Sequence, residues 1–397
     1  MDPRSANPPR ASRSTPEDGP GRMFKTTRLA TVTQRERQLL TAIRREGEIS
    51  RSELIKKTGL AGVAVFRGTE DLAGRGLVEI GETVAQGRGQ PSALVRLRPN
   101  ALVTIGLSVM TDYAEAALMD FTGAVRAVRD LTVPGMPRDA ILDGLVQFIA
   151  DSTQAQGIPA SAVYSIGIAV AGYFVGDGNE LNPRHELDDW ALVDLQAIIE
   201  KRTGYPTLVE NSANAAAVGE RLLGVGAWAD SFAYVNITSG LGAGLIVNGE
   251  LVRGRHGNAG EVGGILKILG LPPASLVSLQ EVLRDHGVET DSITDLVRRY
   301  DDDWPGVQAW IDQHARTFSI VISSLQYVLD GDAIVIGGRA PPALAQRIID
   351  AIEWCEDDSS ARRGRSPPAP RIVVAEMSDR SAAVGAAALP LKQGYFL

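Results

Sequence analysis

The sequence predicts an α/β protein in two parts, an N-terminal winged helix-turn-helix and a two-lobed body. Three observations predict this. Between residues 25 and 99, three short helical patterns lead into a hairpin pattern. From Ala101 onward, apolar strand patterns alternate with helices, and glycine-rich turns follow several strands. Midway, Val209-Glu210-Asn211-Ser212-Ala213-Asn214 takes an apolar strand straight into a small-residue helix. At such a junction polar side chains project beyond the strand end and a ligand can sit.

Composition bounds the class. A chain of 397 residues, 44% hydrophobic with 42 glycines, suits two or three domains rich in tight turns. No apolar run approaches the ~20 residues of a membrane span, and the Pro-, Ser- and Arg-rich start has no secretory h-region. A cytoplasmic protein with no membrane partner is expected. The single cysteine, Cys355, excludes a disulfide or thiolate metal cluster within one chain. From Met23 to Pro99 there are 14 Lys and Arg against 8 Asp and Glu, whereas the whole chain carries −8. A basic head on an acidic body suits an anionic partner for the head, although charge alone also fits an ordinary solvated surface.

In order, residues 1–24 read as a disordered tail, and Met23 is an alternative start. Leu39, Leu40 and Ile43 give a first helix its apolar stripe. Ser50-Arg51-Ser52-Glu53 is a capping box for a second, and Gly59 suits its left-handed end. A third runs from about Ala61 to Gly74. Its start is weak: Ala61 cannot cap with a side chain, at a cost of ~1 kcal/mol. Gly62 and Gly68 each cost roughly 1 kcal/mol of helix propensity. Ala64 and Phe66 could meet thymine methyls, and Arg67 a guanine or a phosphate. Ser50 and Arg51 are placed near a phosphate. Arg88, between glycines in the wing, suits a narrow minor groove.

The Glu210-to-Ala217 stretch resembles the sugar-site motif of the ROK family (repressors, open reading frames and sugar kinases), usually Glu-Asn-Asp-Ala-Asn-Ala-Ala. Thr238-Ser239-Gly240-Leu241-Gly242-Ala243-Gly244 and Gly257-Asn258-Ala259-Gly260-Glu261-Val262-Gly263 are similar to two further motifs of the family. Ile49 to Leu54 with Thr58-Gly59-Leu60, and Gly87 to Pro91, resemble the DNA-binding domain and wing of its repressors, of the NagC/XylR-like type. The resemblance implies an actin/hexokinase-like (ribonuclease H-like) ATPase-type body. The implied divisions are a winged helix-turn-helix over 25–99, a first lobe over 100–208 completed by a C-terminal helix over 380–397, and a second lobe over 209–379.

Departures from the kinases carry the functional expectation. Their catalytic aspartate is replaced by Ser212, whose hydroxyl cannot act as a general base near neutral pH. Their Asp-x-Gly-Gly-Thr phosphate turn is replaced by Ser108-Val109-Met110-Thr111-Asp112, which has no glycine for a phosphate cradle. A zinc-binding histidine is replaced by Gly264, and the cysteines near it are absent, so no metal or other cofactor is expected.

The resemblance therefore implies a DNA-binding transcriptional regulator of carbohydrate metabolism, a repressor, with a sugar-like effector in a catalytically dead cleft. Its partners are operator DNA, the effector and further copies of itself, as a homodimer or higher homo-oligomer. Gly172, Asn211, Ser212, Glu261 and Gln280 are the effector candidates. Arg184 joins them as a group suited to an acidic effector, or is an ordinary surface arginine. The alternatives are an ATP-dependent sugar kinase with a DNA-binding head, and a repressor without small-molecule input.

Overall fold

Two capping boxes build the head. Thr33 opens α1 (Gln34–Glu46) and Ser50 opens α2 (Arg51–Thr58). In each, the hydroxyl accepts from the amide three residues on, and the glutamate there reaches back to the cap amide. Gly59 ends α2 in the left-handed conformation, φ 68°, and α3 (Gly62–Gly74) follows with no side-chain cap at Ala61. Strands β1 (Glu48–Ser50), β2 (Val78–Val84) and β3 (Ser92–Leu97) pair antiparallel in the order β1-β3-β2. Three helices pack on this sheet, with Leu39, Leu40, Ile43, Leu54, Val65 and Leu72 in the core. Propensity marks Gly68 as a cost, but packing explains it. A Cβ there would lie 2.6 Å from Leu39 Cδ1, so glycine lets α3 approach α1.

This computed structural model describes residues 32–84, 91–176, 180–353, 370–377 and 381–397. The tail, Arg88 in the wing and Cys355 lie outside the described residues.

The body has two five-stranded sheets. In the first, β4 (Val103–Val109), β5 (Ala114–Asp120) and β6 (Val125–Asp130) form a meander, and β7 (Val163–Val170) pairs parallel to β4. The ribbon β8 (Gly172–Val175) and β9 (Glu180–Pro183) follows, and β10 (Thr207–Asn211) returns parallel to β7. The order is β10-β7-β4-β5-β6. Val209, Glu210 and Asn211 therefore belong to the first sheet, and a division after 208 falls inside a strand. One face packs on α4 (Arg138–Ala155) and α5 (Leu195–Thr203) through Val103, Ile105 and Leu107. The alternate residues meet the C-terminal helix on the other face, as the two-residue period of a strand requires.

In the second sheet, β11 (Phe232–Ile237), β12 (Leu241–Val247), β13 (Glu250–Leu251), β14 (Ala333–Gly338) and β15 (Arg371–Val374) run in the order β13-β12-β11-β14-β15. Asn248 and Gly249, at φ 50° and 77°, make the two-residue turn before β13. On one face lie α7 (Gly263–Leu269), α8 (Leu276–Asp285), α9 (Ile293–Arg299), α10 (Val307–Leu329) and α11 (Pro342–Asp350). On the other lies α6 (Ser212–Leu223), whose Ala216 and Ala217 pack with Phe232, Tyr234 and Ile246.

Helix α12 (Ser381–Gly394) packs on α6 and on the first sheet. Small residues permit the approach. A Cβ on Gly106 or Gly167 would lie 2.0 or 1.8 Å from a carbonyl oxygen of α12, and Thr104 donates to the Ala387 carbonyl at 2.8 Å. The last turn of α12 and the residues after it reach the head. Arg37 of α1 donates to the carbonyls of Lys392, at 2.8 Å, and Phe396. The Leu397 amide donates to Thr41 at 2.9 Å.

Candidate functional site

The β10–α6 junction is built from side-chain hydrogen bonds. Asn211 caps α6, its Oδ1 accepting from the Ala213 amide at 2.7 Å, while its amide nitrogen donates to the Gly172 carbonyl. Buried Glu210 accepts from the Asn211 amide at 3.0 Å, from Asn214 at 2.9 Å and from Arg253 at 2.7 Å. Arg253 follows β13, so this ion pair ties the first sheet to the second lobe. Asn258 adds a tie to β8, accepting from the Phe174 amide and donating to its carbonyl, each at 2.8 Å.

The candidate residues distribute around this junction. Gly172 and Asn211 are in direct contact. Ser212, next in the chain, is 4% exposed, and its hydroxyl faces the Asn236 amide of β11 at 3.4 Å. Arg184, just after β9, donates across the lobes to the Ser239 carbonyl at 2.9 Å. Glu261 follows Asn258 in the same loop. It keeps solvent-exposed surface, while partial burial of its carboxyl raises the pKa. That carboxylate has no hydrogen-bond or ion-pair partner among the described residues, so it is free to accept from a ligand's hydroxyls. Gln280 of α8 donates instead to the Thr290 carbonyl and hydroxyl, at 3.0 and 2.9 Å, which fastens the loop before α9.

The turn between β4 and β5 is held by side chains from the second lobe. Arg339, just after β14, donates to Asp112 at 2.7 Å and to the Thr294 hydroxyl at 2.7 Å. Asp112 also accepts from the Thr294 amide and hydroxyl, both at 2.9 Å. The Arg339 guanidinium sits 4.9 Å from the centre of the Tyr113 ring. The Tyr113 hydroxyl donates to Glu115, and burial above all holds that phenol protonated well above its usual range. The cavity among Ser108, Tyr113, Asn236, Arg339 and Ala383 measures about 10 Å³, room for roughly one water. Neither Arg339, Thr294 nor Arg253 stands out in the sequence. Each gains meaning only from a partner far along the chain.

In the head, α3 presents Val63, Phe66 and Arg67 to solvent, with Phe66 53% exposed, and Ala64 is half-buried. Two residues placed near a phosphate prove to be engaged within the protein. Ser50 is fully buried as the cap of α2. Arg51 pairs with Glu70 at 2.6 Å and lies 4.5 Å over the Phe66 ring. Among the described residues no cluster of three or more metal-ligating side chains occurs, and no helix is long and apolar enough to cross a membrane.

The model of the ROK family matches residues 104–270, from β4 through the Glu261 loop into the end of α7. This chain carries a ROK family domain. The xylose repressor of Bacillus subtilis (strain 168) is 30% identical over 233 residues, 57% of this chain and 59% of the repressor. A solved ROK family transcriptional regulator, a homologue of the E. coli MLC protein, aligns with TM-score 0.63 at 22% identity, covering 91% of this chain and 98% of its own. A ROK family glucokinase from Streptomyces griseus, solved with glucose and AMPPNP, aligns with TM-score 0.57 at 22% identity, covering 72% and 98%. At these identities the two structures establish the fold, which regulators and kinases of the ROK family share.

Proposed function

We propose that this protein is a sequence-specific DNA-binding transcriptional regulator, a repressor of carbohydrate metabolism, whose interlobe cleft takes a sugar-like effector and transfers no phosphoryl group. One observation carries the reading. The side of the cleft that would hold a nucleotide's phosphates is filled by the Asp112–Arg339–Thr294 cluster, beside a cavity of about 10 Å³. Ser212 supports it, because a hydroxyl hydrogen-bonded to Asn236 has no means of accepting a proton from an alcohol. The likeness to a xylose repressor and the exposed α3 support the DNA-binding half.

The mechanism follows from α12. Its first turn, Ala382 and Ala383, lines the small cavity between the lobes. Its far end is held to α1 by Arg37. A 14-residue helix spans about 21 Å, so α12, with Pro390 near its far end, links cleft and head. An effector that binds Glu261 and favours one lobe angle would shift α12 and with it the head. Coupling of about 1–3 kcal/mol would change DNA affinity roughly 5- to 150-fold. Paired half-sites call for a homodimer.

The rival, favoured by the likeness to a glucokinase, is an ATP-dependent sugar kinase with a DNA-binding head. Coupled ADP release and thermal shift, run over one panel of sugars, separate the two. The regulator gives a sugar-dependent rise in melting temperature with no ADP release above background. Sugar-dependent ADP release overturns it.

A further inference from the structure

Head and body enclose a groove of about 680 Å³ between α1, the end of α2 and the end of α6. The charged side chains of its lining are Arg44, Arg45, Glu46 and Lys57, and Leu397 lies on the same wall. Lys57 and Glu46 neutralise each other at 2.7 Å. Arg45 donates to the Gly226 carbonyl at 3.1 Å, and no carboxylate among the described residues pairs with it. Arg44 stands 5.4 Å over the Phe396 ring, and its buried Nε has no hydrogen-bond partner. No carboxylate among the described residues lies within ion-pairing distance of it. Burial, then the nearby Arg45 and Arg221, lower its pKa to about 10, so it stays charged at neutral pH.

A half-buried guanidinium that lacks a counter-ion is costly to keep. The partial negative charge at the end of α1 accounts for basic residues there. It does not account for one of them standing half-buried and without a counter-ion at the wall of a groove. A guanidinium offers the forked donors that match phosphate oxygens, and Arg44 and Arg45 both line this groove. The volume falls within the range of small-molecule pockets, roughly 300–1,000 Å³.

We propose that this groove is an anion site for the phosphate monoester of a small metabolite, with Arg44 and Arg45 as its phosphate ligands. Arg44 and Arg45 belong to the head, whereas Leu222, Leu223 and Gly224 on the opposite wall belong to the body. Occupancy therefore bears on the head–body junction directly, and the site is independent of the interlobe cleft.

The test uses the full chain, with inorganic phosphate and glucose 6-phosphate as probes and chloride at matched ionic strength as the control. Thermal unfolding and titration calorimetry are read for wild type and Arg44→Met. Wild type shows a saturable rise in melting temperature with either probe. Arg44→Met binds about tenfold more weakly or worse, and without ligand melts no lower than wild type, since it has lost an unpaired charge. If Arg44→Met does not fold, Arg44→Lys replaces it, which keeps the charge, loses the fork and binds more weakly than wild type. Glu261→Ala retains the response to inorganic phosphate. Equal shifts in wild type and the Arg44 variant indicate a general salt effect and overturn the site, as does the absence of a saturable response in wild type.

Discussion

Arg339 and Asp112 meet across the two lobes, Nη1 of the arginine 2.7 Å from Oδ1 of the aspartate, with their side chains 11% and 21% exposed. Thr294 bonds to both, so three segments of chain close on one point. The pair is partly shielded from water, and its coupling should exceed that of a surface ion pair. A double-mutant cycle of Arg339→Met and Asp112→Asn, read by urea unfolding, is expected to give about 1–2 kcal/mol of coupling. A coupling energy near zero would mean that the lobes close without it.

The head separates a structural residue from a contacting one. Ser50→Ala removes the hydroxyl that caps α2 and should cost about 1 kcal/mol of stability. Arg67→Ala should leave the melting temperature within experimental error, because its side chain is exposed. It should weaken DNA binding and lower the salt slope by about one. Anisotropy titrations at several salt concentrations check this. An unchanged slope in Arg67→Ala removes that arginine from the interface.

His314 makes stability depend on pH. It is 1% exposed and hydrogen-bonded to the Trp310 carbonyl at 2.8 Å, and burial dominates in lowering its pKa below 6.5. The folded protein thus resists protonation, while the unfolded chain takes up the proton near its ordinary value, about 6.5. The resulting stability is fully present above that value and is lost as pH falls toward the lowered folded pKa. Urea midpoints should drop across that window in wild type, and less so in His314→Gln. Parallel pH profiles would assign the slope to other groups.

What was legible in the sequence was local. The Ser50–Glu53 box, the Gly59 end, the Asn248-Gly249 turn and the β10–α6 junction each lie within a few residues, where spacing and residue type determine the geometry. The parts that escaped depend on distant partners. Asp112 and Arg339 are separated by 227 positions, and Glu210 and Arg253 by 43. The pairing of Arg51 with Glu70, 19 residues on, is likewise invisible to local spacing. Gly68 looks like a weak point until Leu39 is found against it. Val209 to Asn211 read equally well as the start of the second lobe, and only their pairing with β7 shows that they continue the first sheet.

The most direct test is a DNA titration of the full chain at fixed salt, using fragments selected from its own genome, with and without each sugar that raises its melting temperature. A regulator whose cleft acts as a signal should show at least one sugar moving the apparent Kd by about fivefold or more, and Glu261→Ala should abolish that shift while binding the same DNA. Superimposable isotherms with and without every bound sugar would contradict the account.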